Sequence, residues 1–135
     1  MKYRILIVSA NYYTDISNNL LKDAKTTLKS KAKYQIINVP GVFEIPVIIA
    51  KNIKKYHGFI ALGCVIKGET PHFDFISNTT INAIMNLSIV HKKPIGNGIL
   101  TCLYKRQAKA RSGSFNKVGK GTEAAKAVLS VLNNF

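Results

Sequence analysis

Residues 58–74 read GFIALGCVIKGETPHFD. The first nine, Gly58 to Ile66, form an uncharged apolar run, and that composition predicts a strand inside a sheet. At Lys67 the composition turns to glycine, proline and charge, so Gly68 and Pro71 predict a loop where the strand ends. A long helix is predicted to follow, from about Phe75 to His91. Strand, polar loop and helix make one unit, and the unit recurs on both sides.

Toward the N-terminus, YRILIVS (residues 3–9) predicts a strand buried on both faces. After NYYTD, the apolar positions Ile16, Leu20, Leu21, Ala24 and Leu28 recur at helical spacing to about Lys31, with Ser17 or Asp15 as the cap. YQIINV (Tyr34 to Val39) predicts the second strand, ended by Pro40 and Gly41. Residues 43–56 have helical length, with Pro46 in the first turn, where a missing N–H costs little. Toward the C-terminus, IGNGILT (residues 95–101) predicts a fourth strand. One or two closing helices over Tyr104 to Phe135 are interrupted by SGSFNKVGKG. The alternation predicts an α/β three-layer sandwich: a parallel sheet of about four strands with helices on both faces. No repeat or linker divides the chain, and 135 residues suit a single domain, 1–135.

The chain carries 20 Lys and Arg against 6 Asp and Glu, a net charge of +14, and 47% of its residues are hydrophobic. High charge with this much apolar content excludes disorder for the bulk of the chain. The bases are 17 Lys and 3 Arg (Arg4, Arg106, Arg111), whereas bidentate recognition of phosphates and bases favours Arg. Lys, Ile and Asn make up 46 of the 135 residues, the bias of a low-GC coding sequence. Lys22, Lys25 and Lys29, like Lys51, Lys54 and Lys55, recur at helical spacing and read as solvated helix faces, so neither a nucleic acid nor a membrane is expected as partner. No apolar run reaches the roughly 18 residues of a membrane span, and no signal-peptide pattern is seen at the N-terminus. Cys64 and Cys102 are too few for a disulfide framework, lack metal-ligand spacing and read as small core residues in a reducing compartment. A cytoplasmic protein without a metal is expected.

Parallel sheets hold ligands beyond the carboxyl ends of their strands, where loops and helix N-termini converge. That rule selects Asn11 to Asp15, Pro40 to Glu44, Cys64 to Asp74 and the segment after Thr101. Three of the six acids, Glu44, Glu69 and Asp74, fall in these loops. Gly63 to Gly68 has the spacing of a phosphate-cradling loop, but Glu69 stands where a Walker-type loop needs Lys, which argues against a nucleoside triphosphate. The backbone N–H groups of Gly68, Glu69 and Thr70, with the Thr70 hydroxyl, suit one phosphate. His72 lies at a strand end two residues before Asp74, a setting for proton transfer as well as for a plain surface histidine. His57 and His91 end helices and read as surface residues. Tyr12 and Tyr13 suit either a core cap or stacking on a planar ligand. Arg111, beside Ser112, Gly113 and Ser114, suits a phosphate or a solvated helix end.

PGVFEIP, GCVIKGETPHFDF, GILT and KGTEAA, in that order and at these distances, resemble the 6,7-dimethyl-8-ribityllumazine synthase family, and the resemblance spans essentially the whole chain. It implies a flavodoxin-like fold and an enzyme of riboflavin biosynthesis. That enzyme joins 5-amino-6-(D-ribitylamino)uracil to L-3,4-dihydroxy-2-butanone 4-phosphate without metal or organic cofactor. By resemblance, His72 transfers protons, Tyr12 stacks on the pyrimidine, and Val42, Phe43 and Glu44 bind the pyrimidine and ribityl chain. Cys64, Val65 and Ile66 continue that pocket through their backbone, Glu69 and Thr70 form the phosphate loop, and Arg111 holds the phosphate, with Lys120 as a second candidate. The family builds its active sites between neighbouring subunits, so a homo-oligomer is implied, a pentamer or a larger icosahedral shell.

Three positions depart from the family pattern. Asn97 stands where the family commonly has a Phe that closes the pyrimidine pocket from the neighbouring subunit, Asn11 stands where it usually has Arg, and the loop after Arg111 is one residue longer. Two other readings fit parts of the sequence. A flavin- or ribityl-binding relative of the same fold, or a low-activity paralogue, fits Asn97. An RNA-binding protein fits the charge but calls for clustered Arg and exposed aromatics.

Overall fold

The computed structural model describes residues 2–69, 71–113 and 119–134. Strands β1 (Arg4–Ala10), β2 (Lys33–Val39), β3 (Gly58–Ile66) and β4 (Ile95–Cys102) form a wholly parallel sheet in the order β2-β1-β3-β4. Among the described residues the helices are α1 (Thr14–Leu28), α2 (Ile45–Lys51), α3 (Phe73–His91), α4 (Lys105–Arg111) and α5 (Lys120–Asn133), with 3-10 turns at Val42–Glu44 and Lys67–Glu69.

The inner strands β1 and β3 are apolar on both sides because both sides are covered. On one face Ile5, Ile7, Ile60, Leu62 and Ile66 pack against Ile16, Leu20 and Leu28 of α1, Ala108 of α4, and Ala124 and Val128 of α5. On the other, Leu6, Val8, Phe59, Ala61 and Val65 pack against Ile45 and Ile49 of α2 and Ile84 of α3. Helices thus cover both faces, as the alternation predicts. Helices α1 and α5 approach closely because of Gly121, where a Cβ would run into the carbonyl oxygen of Leu20.

Element boundaries differ from the sequence reading at α1, α2 and α3, among others. Helix α1 starts at Thr14, and neither proposed cap acts as one: Tyr13 is the N-cap residue without a side-chain bond, and Ser17 Oγ instead donates to the Ala10 carbonyl at 2.7 Å. Ser17 is three residues inside the helix, too far along to cap it, and it ties the helix to the end of β1. The helix predicted over 43–56 is a 3-10 turn followed by the shorter α2. It stops where Asn52 leaves helical geometry and donates its side-chain amide to Ile48 O at 2.8 Å. The chain then turns so that Ile53 and Tyr56 enter the core, both 7% exposed. Helix α3 starts two residues early, with His72 as its N-cap residue.

From β1 the chain crosses to β2 on one side and then returns past β1 to β3 on the other. Connections after β1 and β3 therefore leave in opposite directions and open a crevice between them at the carboxyl ends. The loops bearing Tyr12 and Glu69 flank it.

Candidate active site

Tyr12, Tyr13, Val42, Cys64, Val65, Glu69, Pro71 and Ile76 line a cleft of about 260 Å³ at that crevice. Tyr12 is 75% exposed, its ring edge-on to Tyr13 with centroids 4.9 Å apart, so its outer face is open to a ligand. Val42 is buried under the cleft floor and Phe43 is 56% exposed beside it. Glu44 is the N-cap residue of α2 but makes no side-chain capping bond, and its carboxylate lies against Gly41.

Lys67, Pro71, His72, Phe73, Asp74 and Phe75 line a second groove of about 370 Å³, and Pro71 is common to both. The Tyr12 cleft and the His72 groove are therefore neighbours. The His72 imidazole is exposed, while its carbonyl accepts the Ile76 N–H at 2.8 Å and anchors the helix start. Cys64 is half-buried, and its thiol is pushed up to about 12, chiefly by burial and further by Cys102, Glu69 and Asp15. It is a neutral wall, not a nucleophile. Ile66 is buried in the core on the α1 side, so only its backbone can face a ligand. Thr70 lies outside the described residues, as does 114–118 of the loop after Arg111.

Arg111 is elsewhere. It ends α4 and lines a third cleft, of about 420 Å³, with Ile99, Leu100, Thr101, Lys120 and Glu123. Its Nη1 donates to Cys102 Sγ at 3.9 Å, and Lys120 Nζ lies 3.9 Å from Glu123 Oε2. Two bases and one acid around 420 Å³ make this cleft suited to a phosphate dianion. Asn97 is exposed on the edge strand β4, level with Ala61 and well before the strand's carboxyl end, with its Oδ1 accepting the Ile99 N–H at 3.0 Å. One chain therefore brings Tyr12, Val42, Cys64, Val65, Glu69 and His72 together but leaves Arg111 and Asn97 apart from them. Neither the place of Glu123 in this cleft nor the contact of Cys102 with Arg111 is read from the sequence above. The spacing of Lys120 and Glu123, three apart at a helix start, was the available signal for the former. Among the described residues no group of three or more His, Cys, Asp or Glu could hold a metal ion, and no helix is long and apolar enough to cross a membrane.

A parallel sheet with its clefts at the carboxyl ends, one aromatic and one basic, defines an α/β protein of the small-molecule-binding kind. The family described as 6,7-dimethyl-8-ribityllumazine synthase matches residues 2–135, and the chain belongs to it. Proteins of that name are 43% identical in Bartonella tribocorum (99% of this chain, 93% of the relative), 47% in Bartonella henselae (97% and 87%) and 44% in Agrobacterium fabrum (97% and 93%).

Proposed function

We propose that the protein, folded as one domain, is a transferase that condenses 5-amino-6-(D-ribitylamino)uracil with L-3,4-dihydroxy-2-butanone 4-phosphate. The product is 6,7-dimethyl-8-ribityllumazine, with release of phosphate and water, in the penultimate step of riboflavin biosynthesis. The observation that carries this reading is the family match over residues 2–135, whose characteristic segment ends at the His72 groove beside the aromatic cleft.

In this reading the pyrimidine stacks on Tyr12, with Val42, Phe43 and Glu44 and the backbone of Cys64, Val65 and Ile66 around the ring and ribityl chain. The 5-amino group attacks the ketone to give an imine, phosphate leaves by elimination, and a second condensation closes the ring. Every step moves a proton, and His72, exposed at the groove, is the group suited to carry it. Glu69 and Thr70 flank the phosphate, and Arg111, with Lys120, holds it. No covalent intermediate with the protein is required, so much of the acceleration comes from holding two reactants in register.

Arg111 and Asn97 complete this site from a second chain. The separation of the two basic and aromatic clefts within one chain supports a homo-oligomer with sites between subunits. So does helix α3, which exposes Phe75, Met85 and Ile89. A cytoplasmic pentamer, alone or within a larger shell, is the assembly this reading carries. Mixing the purified protein with both substrates and following lumazine fluorescence tests the reaction, and light scattering on the same sample tests the assembly. Protein that binds flavin without forming lumazine overturns the enzyme reading in favour of a binding protein.

A further inference from the structure

Helix α4 has seven residues, and a helix that short is not held by its own hydrogen bonds. Its location, and that of Arg111 at its end, is set by what it packs against. One contact is apolar, the fully buried Ala108 in the cluster beneath α1 and α5. The helix also lies against β4 and β3, and Arg111 donates to Cys102 Sγ. Further polar contacts come from one stripe of α1, on which Asp15, Asn19 and Asp23 follow at four-residue spacing. Asp15 Oδ2 lies 3.7 Å from Lys109 Nζ, Asn19 Nδ2 donates to Ser112 Oγ at 3.2 Å, and the Asp23 carboxylate lies against Gly113.

These contacts are not equal. The Asp15–Lys109 pair is 51% and 58% exposed and holds weakly in water. Ser112 is 0% exposed and directly follows Arg111. Its Oγ accepts from Asn19 and donates to Lys109 O at 2.8 Å, and its backbone N–H donates to Ala108 O at 3.0 Å. A buried hydroxyl bridging two elements is costly to leave half-bonded. Gly113 then takes φ +93°, and a Cβ there would run into Asp23. The last turn of α4 is thus pinned to α1 at the residue next to Arg111.

We infer that Asn19 is a positioning residue for Arg111: by holding Ser112 against α1 it sets where the guanidinium stands, and through it the affinity for the phosphate of the four-carbon substrate. This rests on the role proposed above for Arg111. Asn19 lines none of the three clefts described above, so its effect passes through Ser112.

The test uses Asn19→Ala, Ser112→Ala, the double variant and Arg111→Ala, with Asn19→Leu, of similar volume, as a second variant if alanine destabilises the helix. Each is measured for KM toward both substrates and for binding of inorganic phosphate by titration. Loss of one such hydrogen bond is expected to raise the KM for the phosphorylated substrate and the Kd for inorganic phosphate roughly three- to tenfold. The KM for the uracil substrate stays within about twofold, and the double variant is no worse than either single one. Equal rises in both KM values, additive losses, or a lowered Tm with unchanged phosphate binding overturn the inference. If Arg111→Ala itself leaves phosphate binding intact, the role of Arg111 falls. If Arg111→Ala loses phosphate and Asn19→Ala keeps it, only the positioning by Asn19 falls.

Discussion

Arg111 and His72 lie in different clefts of the chain, and the two clefts have no lining residue in common. Arg111 is held near Cys102 at the end of β4, the edge strand, while His72 starts α3 beyond the inner strand β3. In the proposed reading, a substrate held by both lies between chains.

Variants of these two residues are therefore expected to complement each other. Arg111→Ala should nearly abolish lumazine formation, and His72→Ala should slow it by about 10²-fold, the low end of the range for one general acid–base group. When the two variant proteins are unfolded together and reassembled, random pairing leaves roughly a quarter of the sites with both residues intact, and activity returns to about that fraction. Mixtures no more active than the average of the two variants would show that each chain works alone.

Asn97→Phe is expected to lower the KM for the uracil substrate severalfold with little change for the phosphorylated one. An exposed amide is replaced by a ring able to stack on a planar ligand, a contact worth about 0.5–1.5 kcal/mol. Steady-state kinetics with each substrate varied in turn decides this. A KM unchanged for the uracil places Asn97 outside the pocket.

Cys64 should resist alkylation. Burial holds its thiol protonated up to about 12, against the ordinary 9.0, so little thiolate forms at pH 8. Because the folded value is raised, the stability this proton contributes is fully present below pH 9 and is lost as pH rises toward 12. Mass spectrometry after iodoacetamide treatment at pH 8 should find Cys64 unmodified in the folded protein and modified in urea. Rapid labelling of the folded protein would contradict the burial.

Gly121→Ala should destabilise the fold. The added methyl meets the backbone carbonyl of Leu20, which cannot swing aside as a side chain can, so α1 and α5 must separate. A cost of about 1–3 kcal/mol, read as a lower midpoint in urea, is expected. An unchanged midpoint would mean that the helices have room to part.

Much of the architecture could be read from residues near one another in the chain. Strands β1 and β3 are legible because a strand covered on both faces needs apolar residues at every position, and GFIALGCVI shows that directly. The loops at Tyr12, Val42 and Glu69 followed from the rule that parallel sheets bind ligands at their carboxyl ends, and the order β2-β1-β3-β4 puts the crevice there. Boundaries were less legible, since Ser17 looks like a cap in sequence and turns out to bond Ala10 across the β1–α1 connection.

By itself, then, the sequence determined the layered α/β class, its helix faces and the family, because hydrophobic periodicity and short motifs are local properties of the chain. Tertiary structure alone decided which of the chosen residues share a cleft. Glu69 and Tyr12 are far apart in sequence and meet because β1 and β3 are neighbours, whereas Arg111 and His72 are closer in sequence and do not. Asn19 and Ser112, 93 residues apart, show the same physics, since only the packing of α4 on α1 brings the amide to the hydroxyl. No pattern in either segment foretells it.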